Sequence, residues 1–300
     1  MAFFPDHIIL TCTAVIFLFL FLFRRRRPRR KLPPSPSRLP IIGNFHQLGP
    51  LPHRAFQTLS KKYGPLMLLH LGSVPTIIVS SAGAAREVLK HQDAVFCSRP
   101  YSSVTNKAFY GGRDVALSPY GEYWRRNRSV CVLHLLTAKR VRSFHGIMDE
   151  ETSNMIGEIR GSSSRAVNFQ QMVRSMMMDV ICRVTLGKKT SPKLNELMTD
   201  LSGILGKFNV EIFMPWLGWI NRFNGFNSRL GRVVTGLDEI LSGLLRERRD
   251  NKEEEASNFI DILLELQSEN NAAFEDESIK AIILVQFFSK NFLVWILYRN

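Results

Sequence analysis

The sequence predicts a mainly α-helical domain with a small β-sheet, tethered by one amino-terminal transmembrane helix. Three features carry that expectation: an uncharged run that meets a basic cluster, two short apolar runs around Gly72-Ser73-Val74-Pro75, and helical apolar spacing through nearly everything after Tyr120.

Ile8 to Phe23 is 16 residues without a charge, 17 with His7 as its uncharged edge, and a spanning helix needs at least about 17. A cleaved signal peptide would carry its positive charge before the apolar run and small residues after it. Here Asp6 precedes and Arg24-Arg25-Arg26-Arg27 follow. A surface-lying helix would be apolar on one face, whereas this segment is apolar on every side. Seven of the eight residues from Arg24 to Lys31 are basic, and such a cluster stays cytosolic, so the amino terminus faces the lumen. Residues 1–23 are therefore read as a single-pass anchor and residues 24–44 as a basic hinge stiffened by Pro33-Pro34-Ser35-Pro36.

After the hinge, Phe56, Leu59 and Tyr63 share one side of a helix from Pro52 to Tyr63 that Gly64-Pro65 ends. Leu66 to Leu71 and Thr76 to Val79 read as the two strands of a hairpin. Ser80 or Ser81 caps a helix reaching His91. From Cys97 to Pro119 the composition turns to Ser, Gly, Asn and Pro, which reads as a long irregular loop, and long loops inside domains usually carry function.

Beyond Tyr120, Val141, Phe144, Met148, Met155 and Ile159 keep a helix period, as do Phe169, Val173, Met176, Val180 and Val184. Arg232 to Arg249 repeats it. The breaks are Gly161-Ser162-Ser163-Ser164, Gly187 to Pro192 and Lys252 to Glu255. Met176-Met177-Met178 reads as core packing, since no second thioether cluster supports a soft-metal site. Ile212 to Ile220 is apolar, aromatic and broken by Pro215 and Gly218. It suits either a loop dipping into lipid headgroups, where tryptophan is favoured, or a buried connector.

The net charge of +14 does not indicate nucleic acid, because residues 1 to 40 alone contribute +7. That half serves topology and attraction to anionic lipid, and neither metal-finger spacing nor a basic recognition helix appears. Cys12, Cys97, Cys131 and Cys182 form no CxxC pair, so neither a zinc site nor a disulfide framework is expected. The sequon at Asn127-Arg128-Ser129 would lie on the cytosolic side and is read as chance.

Several pieces stand in a telling order: the anchor with its arginines, the proline hinge with Leu39-Pro40-Ile41-Ile42-Gly43-Asn44, Phe96-Cys97-Ser98-Arg99-Pro100, Tyr110-Gly111-Gly112-Arg113-Asp114-Val115-Ala116, and Pro119-Tyr120-Gly121-Glu122-Tyr123-Trp124-Arg125. Together they resemble the amino-terminal part of a plant microsomal cytochrome P450 of the A-type, to about Leu284. The resemblance implies a partial cytochrome P450 domain over 45–284 and a haem-thiolate monooxygenase that oxidises a small hydrophobic metabolite with O2. It also implies electrons from an NADPH-dependent reductase and a place on the endoplasmic reticulum membrane, with the main domain cytosolic.

Trp124 and Arg128 are four apart on a predicted helix and share a face. The resemblance makes them the indole and guanidinium donors to a haem propionate, a role that suits the forked donors of arginine. On residue type alone, the pair reads as a surface arginine over a core aromatic. Val115, Ala116 and Leu117 are implied substrate contacts, apolar as a hydrophobic ligand requires. Arg125 and Arg126 form a basic face that suits an acidic electron donor, or are simply solvated.

The resemblance stops at Leu284. Residues 285–300 read as divergent sequence, with a second membrane span as a lesser alternative. The haem-binding cysteine loop, its supporting Glu-x-x-Arg helix and the Ala-Gly-x-Asp/Glu-Thr segment are not found. Glu122-Tyr123-Trp124-Arg125 matches Glu-x-x-Arg only as a string. The expectation is a truncated chain whose helices after Tyr120 leave apolar faces uncovered, which binds haem poorly and is inactive. The alternatives are a non-catalytic, membrane-anchored remnant that associates with relatives or the reductase, and a basic membrane-surface interaction protein.

Overall fold

Two consecutive runs of β-formers around a Gly-Ser turn fold as expected into an antiparallel hairpin, β1 (Leu66–Leu71) and β2 (Val74–Val79). The computed structural model describes residues 11, 13–16, 32–162, 166–206, 210–223, 225–251, 258–269 and 274–288. Of the expected anchor, only Thr11 and residues 13–16 are described, and they are helical. The rest of that segment, the basic cluster 24–31 and the tail 289–300 lie outside the described residues. Among the described residues, no helix is long and apolar enough to cross a membrane. The chain divides into two units, Met1–Ala85 and Arg86–Asn300.

In the first unit, β2 begins two residues earlier than expected, and the turn is only Gly72-Ser73. Pro75 was read as part of the turn, yet it pairs with His70. It is tolerated because the His70 backbone faces away from β2: its N–H donates to Asn44 Oδ1 (2.8 Å) and its carbonyl accepts from Asn44 N–H (2.7 Å). His70 and Pro75 therefore form a non-hydrogen-bonded pair, which asks nothing of the missing proline N–H. On the same edge Leu68 N–H donates to the Pro34 carbonyl (2.9 Å), so the segment between Pro34 and Asn44 is strapped along β1. Gly43 makes the close approach possible: its φ is +64°, and a Cβ there would overlap the His70 carbonyl oxygen. Helix α1 (Pro52–Tyr63) starts on proline, ends at Gly64 and half-buries Phe56, Leu59 and Tyr63, as read from the sequence.

Helix α2 (Ala82–Arg86) is capped by Ser81 Oγ, which accepts from Ala84 N–H (3.3 Å), and its last turn widens to a π turn at Glu87–His91. A single turn, α3 (Asp93–Phe96), follows. The expected irregular loop from Cys97 to Pro119 is corrected: it contains α4 (Ser103–Ala108), capped by Ser102 and burying Val104 and Ala108. Six residues are too few to display a period.

The helices after Tyr120 are α5 (Glu122–Val130) with a π turn at Cys131–Leu135, α6 (Ala138–Ser143), α7 (His145–Gly161), α8 (Phe169–Leu186) and α9 (Pro192–Leu205). Short turns α10 (Val210–Phe213) and α11 (Ile220–Phe223) lead to α12 (Phe226–Asp250), α13 (Phe259–Glu269) and α14 (Asp276–Phe288). The apolar period from Val141 to Ile159 is one pattern but two helices, broken at Phe144.

Helix α8 packs against α7, α13 and α14, while α12 packs against α4, α9, α13 and α14. The α12 stripe Leu230, Val233, Leu237, Leu241, Leu244 and Leu245 is wholly buried, the width expected of a core-facing helix. Every residue from Ser278 to Phe287 in α14 is buried, so this helix is enclosed on all sides and runs through Leu284 without interruption. Both α8 and α12 pack on α14, so the expectation of uncovered helices is corrected for α12, for α14 and for the second half of α8. Exposed apolar residues remain at Val132 and Leu133 in the π turn after α5, at Ile156 in α7 and at Phe169 at the start of α8.

Candidate functional site

Asp114 organises the segment that the sequence marks out for substrate contact. It is fully buried, and its Oδ1 accepts from the amides of Ala116 (2.7 Å) and Leu117 (2.6 Å), a local turn that short acidic side chains favour. Burial pushes its carboxyl above the ordinary value, against the pull of the Leu117 and Ala116 amides. The carbonyls of the segment are held from outside. Trp124 Nε1–H donates to the Val115 carbonyl (2.9 Å), and Arg99 Nε–H to that of Ala116 (3.0 Å). The backbone is thus consumed internally, while the side chains of Ala116 and Leu117 stay exposed and Val115 is half-buried. An apolar surface with no competing polar atoms is what a hydrophobic ligand requires.

Trp124 and Arg128 meet as the four-residue spacing predicts, with the guanidinium carbon 5.1 Å from the indole centroid, within cation–π range. Arg128 is exposed and has no ion-pair partner among the described residues. An unpaired guanidinium over an indole ring fits a carboxylate such as a haem propionate. For the Trp124 N–H to join Arg128 at such a carboxylate, it would have to leave the Val115 carbonyl. Arg125 and Arg126 are exposed on the same helix, and Arg126 lies 5.6 Å from the centre of the Tyr123 ring.

Of the three described cysteines, Cys131 and Cys182 are buried and Cys97 is half-buried. Burial pushes the Cys131 thiol up to about 12 and the Cys182 thiol up to about 11, and Cys182 Sγ accepts from Thr190 Oγ1–H (3.2 Å). Both stay protonated near neutral pH. Cys97 is half-buried, and its thiol lies 3.6 Å from the Ala94 carbonyl. No cluster that could hold a metal ion occurs among the described residues. In the aromatic connector Ile212–Ile220, Trp216 and Trp219 are more than half exposed, so the buried-connector alternative does not hold for these two rings, and just beyond it Phe223 is 82% exposed. Met214 is buried.

Sequence reasoning missed a polar cluster around Tyr110, in the turn that precedes Val115–Leu117. Tyr110 Oη–H donates to Asp238 Oδ1 (2.9 Å), Lys280 Nζ donates to the same oxygen (2.6 Å) and to Ser242 Oγ (3.3 Å), and the ammonium lies 4.8 Å from the Tyr110 ring centre. Nearby, Tyr123 Oη bonds to Ser278 Oγ (2.8 Å) and donates to the Arg113 carbonyl (3.1 Å), and Arg113 pairs with Glu275. The available signal was Lys280, a lone cation beside the apolar run Ala281–Val285.

A family model described as cytochrome P450 matches residues 33–289. The chain is 50% identical over 256 residues to cytochrome P450 71A22 of Arabidopsis thaliana, covering 84% of this chain and 52% of that protein. It is 47% identical to (+)-menthofuran synthase of Mentha piperita over 85% of this chain and 53% of the relative. With norfluorocurarine oxidase of a Strychnos species it shares 42% identity over 91% of this chain and 57% of the relative. The chain thus spans about half the length of the curated relatives it matches. A solved zebra fish cytochrome P450 described as a structure with progesterone superposes with a TM-score of 0.67 at 24% identity, over 81% of this chain and 58% of that one. That likeness establishes the fold.

Proposed function

The chain belongs to the cytochrome P450 family, and from that premise we propose that its residues form the amino-terminal part of a haem-thiolate monooxygenase acting on a small hydrophobic metabolite. Haem with a thiolate ligand supplies the activation of O2. Arg128, with Trp124, holds a propionate; Val115, Ala116 and Leu117 contact the substrate; Arg125 and Arg126 receive an NADPH-dependent reductase. We assign the axial thiolate to none of the four cysteines. The observation that carries the reading is the unpaired Arg128 guanidinium over the Trp124 indole.

Residues 1–23 anchor the protein in the endoplasmic reticulum membrane with a luminal amino terminus, and 24–44 lead to the cytosolic domain. The basic cluster of the sequence supports this orientation, and the exposed Trp216, Trp219 and Phe223 support a second contact at the headgroup level. Carbonate extraction of microsomes tests the anchor: release of the chain into the wash would end it.

Haem titration of the full chain in detergent tests the site. The expected result is weak binding that falls about tenfold in Arg128→Ala, the worth of a charge-assisted pair. Binding unaffected by Arg128→Ala, or none by the parent chain, would remove the propionate role. The basic face also favours a second reading, a non-catalytic membrane-anchored protein that binds the reductase. Reductase co-precipitation lost in Arg125→Glu/Arg126→Glu, from a chain that takes up no haem, would select it.

A further inference from the structure

Tyr110 carries a conformation that a tyrosine rarely adopts. Its φ is +51°, and Gly111 and Gly112 continue in the left-handed region at +80° and +79°. The glycines do so at no steric cost, but a bulky residue there is strained. Such strain persists only where the surroundings over-determine it. Here the side chain is held at both ends: its hydroxyl by Asp238 on α12, its ring face under the Lys280 ammonium of α14. Lys280 is itself 8% exposed and is committed to Asp238 and Ser242.

Four residues further on lies Asp114, whose carboxylate sets the amides of Ala116 and Leu117. The strained turn therefore stands between two helices that hold it and the apolar segment that follows it. Tyr123 and Arg113 tie the far side of the same turn to Ser278 and Glu275 at the start of α14.

We propose that Tyr110, Asp238 and Lys280 are a clasp that fastens the turn preceding Val115–Leu117 to α12 and α14 and, by keeping the Tyr110 backbone strained, holds that segment in place. Breaking the clasp lets Tyr110 relax to negative φ, which swings the Gly111-Gly112 link and frees the segment. The three are positioning residues: they act through the turn and touch no reacting atom. The functional meaning rests on the reading of Val115–Leu117 as substrate contacts, but the clasp itself does not.

The test is hydrogen–deuterium exchange on the full chain, followed at the amides of Ala116 and Leu117, in Tyr110→Phe and Lys280→Met. Tyr110→Phe removes one hydroxyl and keeps the ring, so the core is spared. The expected result is exchange about tenfold faster at residues 111–117, with Ile181 to Leu186 in α8 unchanged. Unchanged exchange at 111–117, or equal acceleration in α8, would overturn the clasp. Lys280→Met buries an apolar chain in place of the cation and is expected to act in the same direction; if it fails to fold, Tyr110→Phe decides alone. Faster local exchange in a chain that binds no substrate would retire the substrate reading and leave the clasp standing.

Discussion

Asn127 is fully buried on α5, and both its amide oxygen and its amide nitrogen lack a partner among the described residues. Each such group forfeits its hydration without recovering it. Asn127→Leu is therefore expected to stabilise the protein by about 1–2 kcal/mol, read as a higher urea midpoint at unchanged slope; a lower midpoint would mean that the amide has a partner in solution. Its neighbours show what residue patterns disclose. The meeting of Trp124 and Arg128 was legible, because a four-residue spacing on a helix has one geometric meaning. The bond from Trp124 to the Val115 carbonyl was not, nor was the role of Asp114, because side chain to backbone contacts across a loop leave no periodic trace. Tyr110, Asp238 and Lys280 are 128 and 42 residues apart along the chain, and nothing local couples them.

Among elements, the hairpin and the long amphipathic helices were legible because their periods are fixed by backbone geometry. Their limits were not: β2 starts at Val74 because the Asn44 strap occupies the outer edge of His70, a tertiary fact. Gly43→Ala tests that strap. The added Cβ meets the His70 carbonyl at a left-handed φ, so a loss of about 2 kcal/mol or more is expected, with limited proteolysis accelerated between Pro34 and Asn44; unchanged cleavage would refute the strap. In the second unit, Glu151 of α7 is 3% exposed and receives Arg183 (2.5 Å), Lys189 (3.0 Å) and Asn154 (3.3 Å). It fastens α7 to α8 and to the loop after it. Glu151→Gln leaves Arg183 with Glu150 alone and is expected to cost about 2 kcal/mol, measured by chemical denaturation; a neutral result would assign the α7–α8 contact to apolar packing.

Across the whole molecule, the basic surplus was legible as a total and as an amino-terminal bias, and the motif order pointed to the family. The burial of α14 between its partners α8 and α12 was not, since a sequence shows that a face is apolar but not what covers it. One consequence of the assembled charges can be worked out with its sign. Burial raises the carboxyls of Glu151 and Asp238, but hydrogen bonds from Arg183 and Lys189, and from Lys280 and Tyr110, outweigh it and hold both below their ordinary values. Arg249 does the same for Asp276. A carboxyl depressed in the native state gives stability that is full above its unfolded value and is lost as pH falls through its native one. Asp114 acts oppositely: its native value is raised, so its contribution is present at low pH and fades as pH rises through that value. The three depressed groups outnumber it and each fastens two elements, so the melting temperature should be level near neutral pH. It should then fall as pH drops below about 4.5, where unfolded carboxylates begin to take up protons. Thermal melts from pH 7 to pH 2.5 read this directly, and Glu151→Gln should flatten the acid limb while lowering the plateau. A melting temperature that rose on acidification would mean that burial, not ion pairing, governs these carboxyls, and would reverse the assignment of what holds α7, α12 and α14 in place.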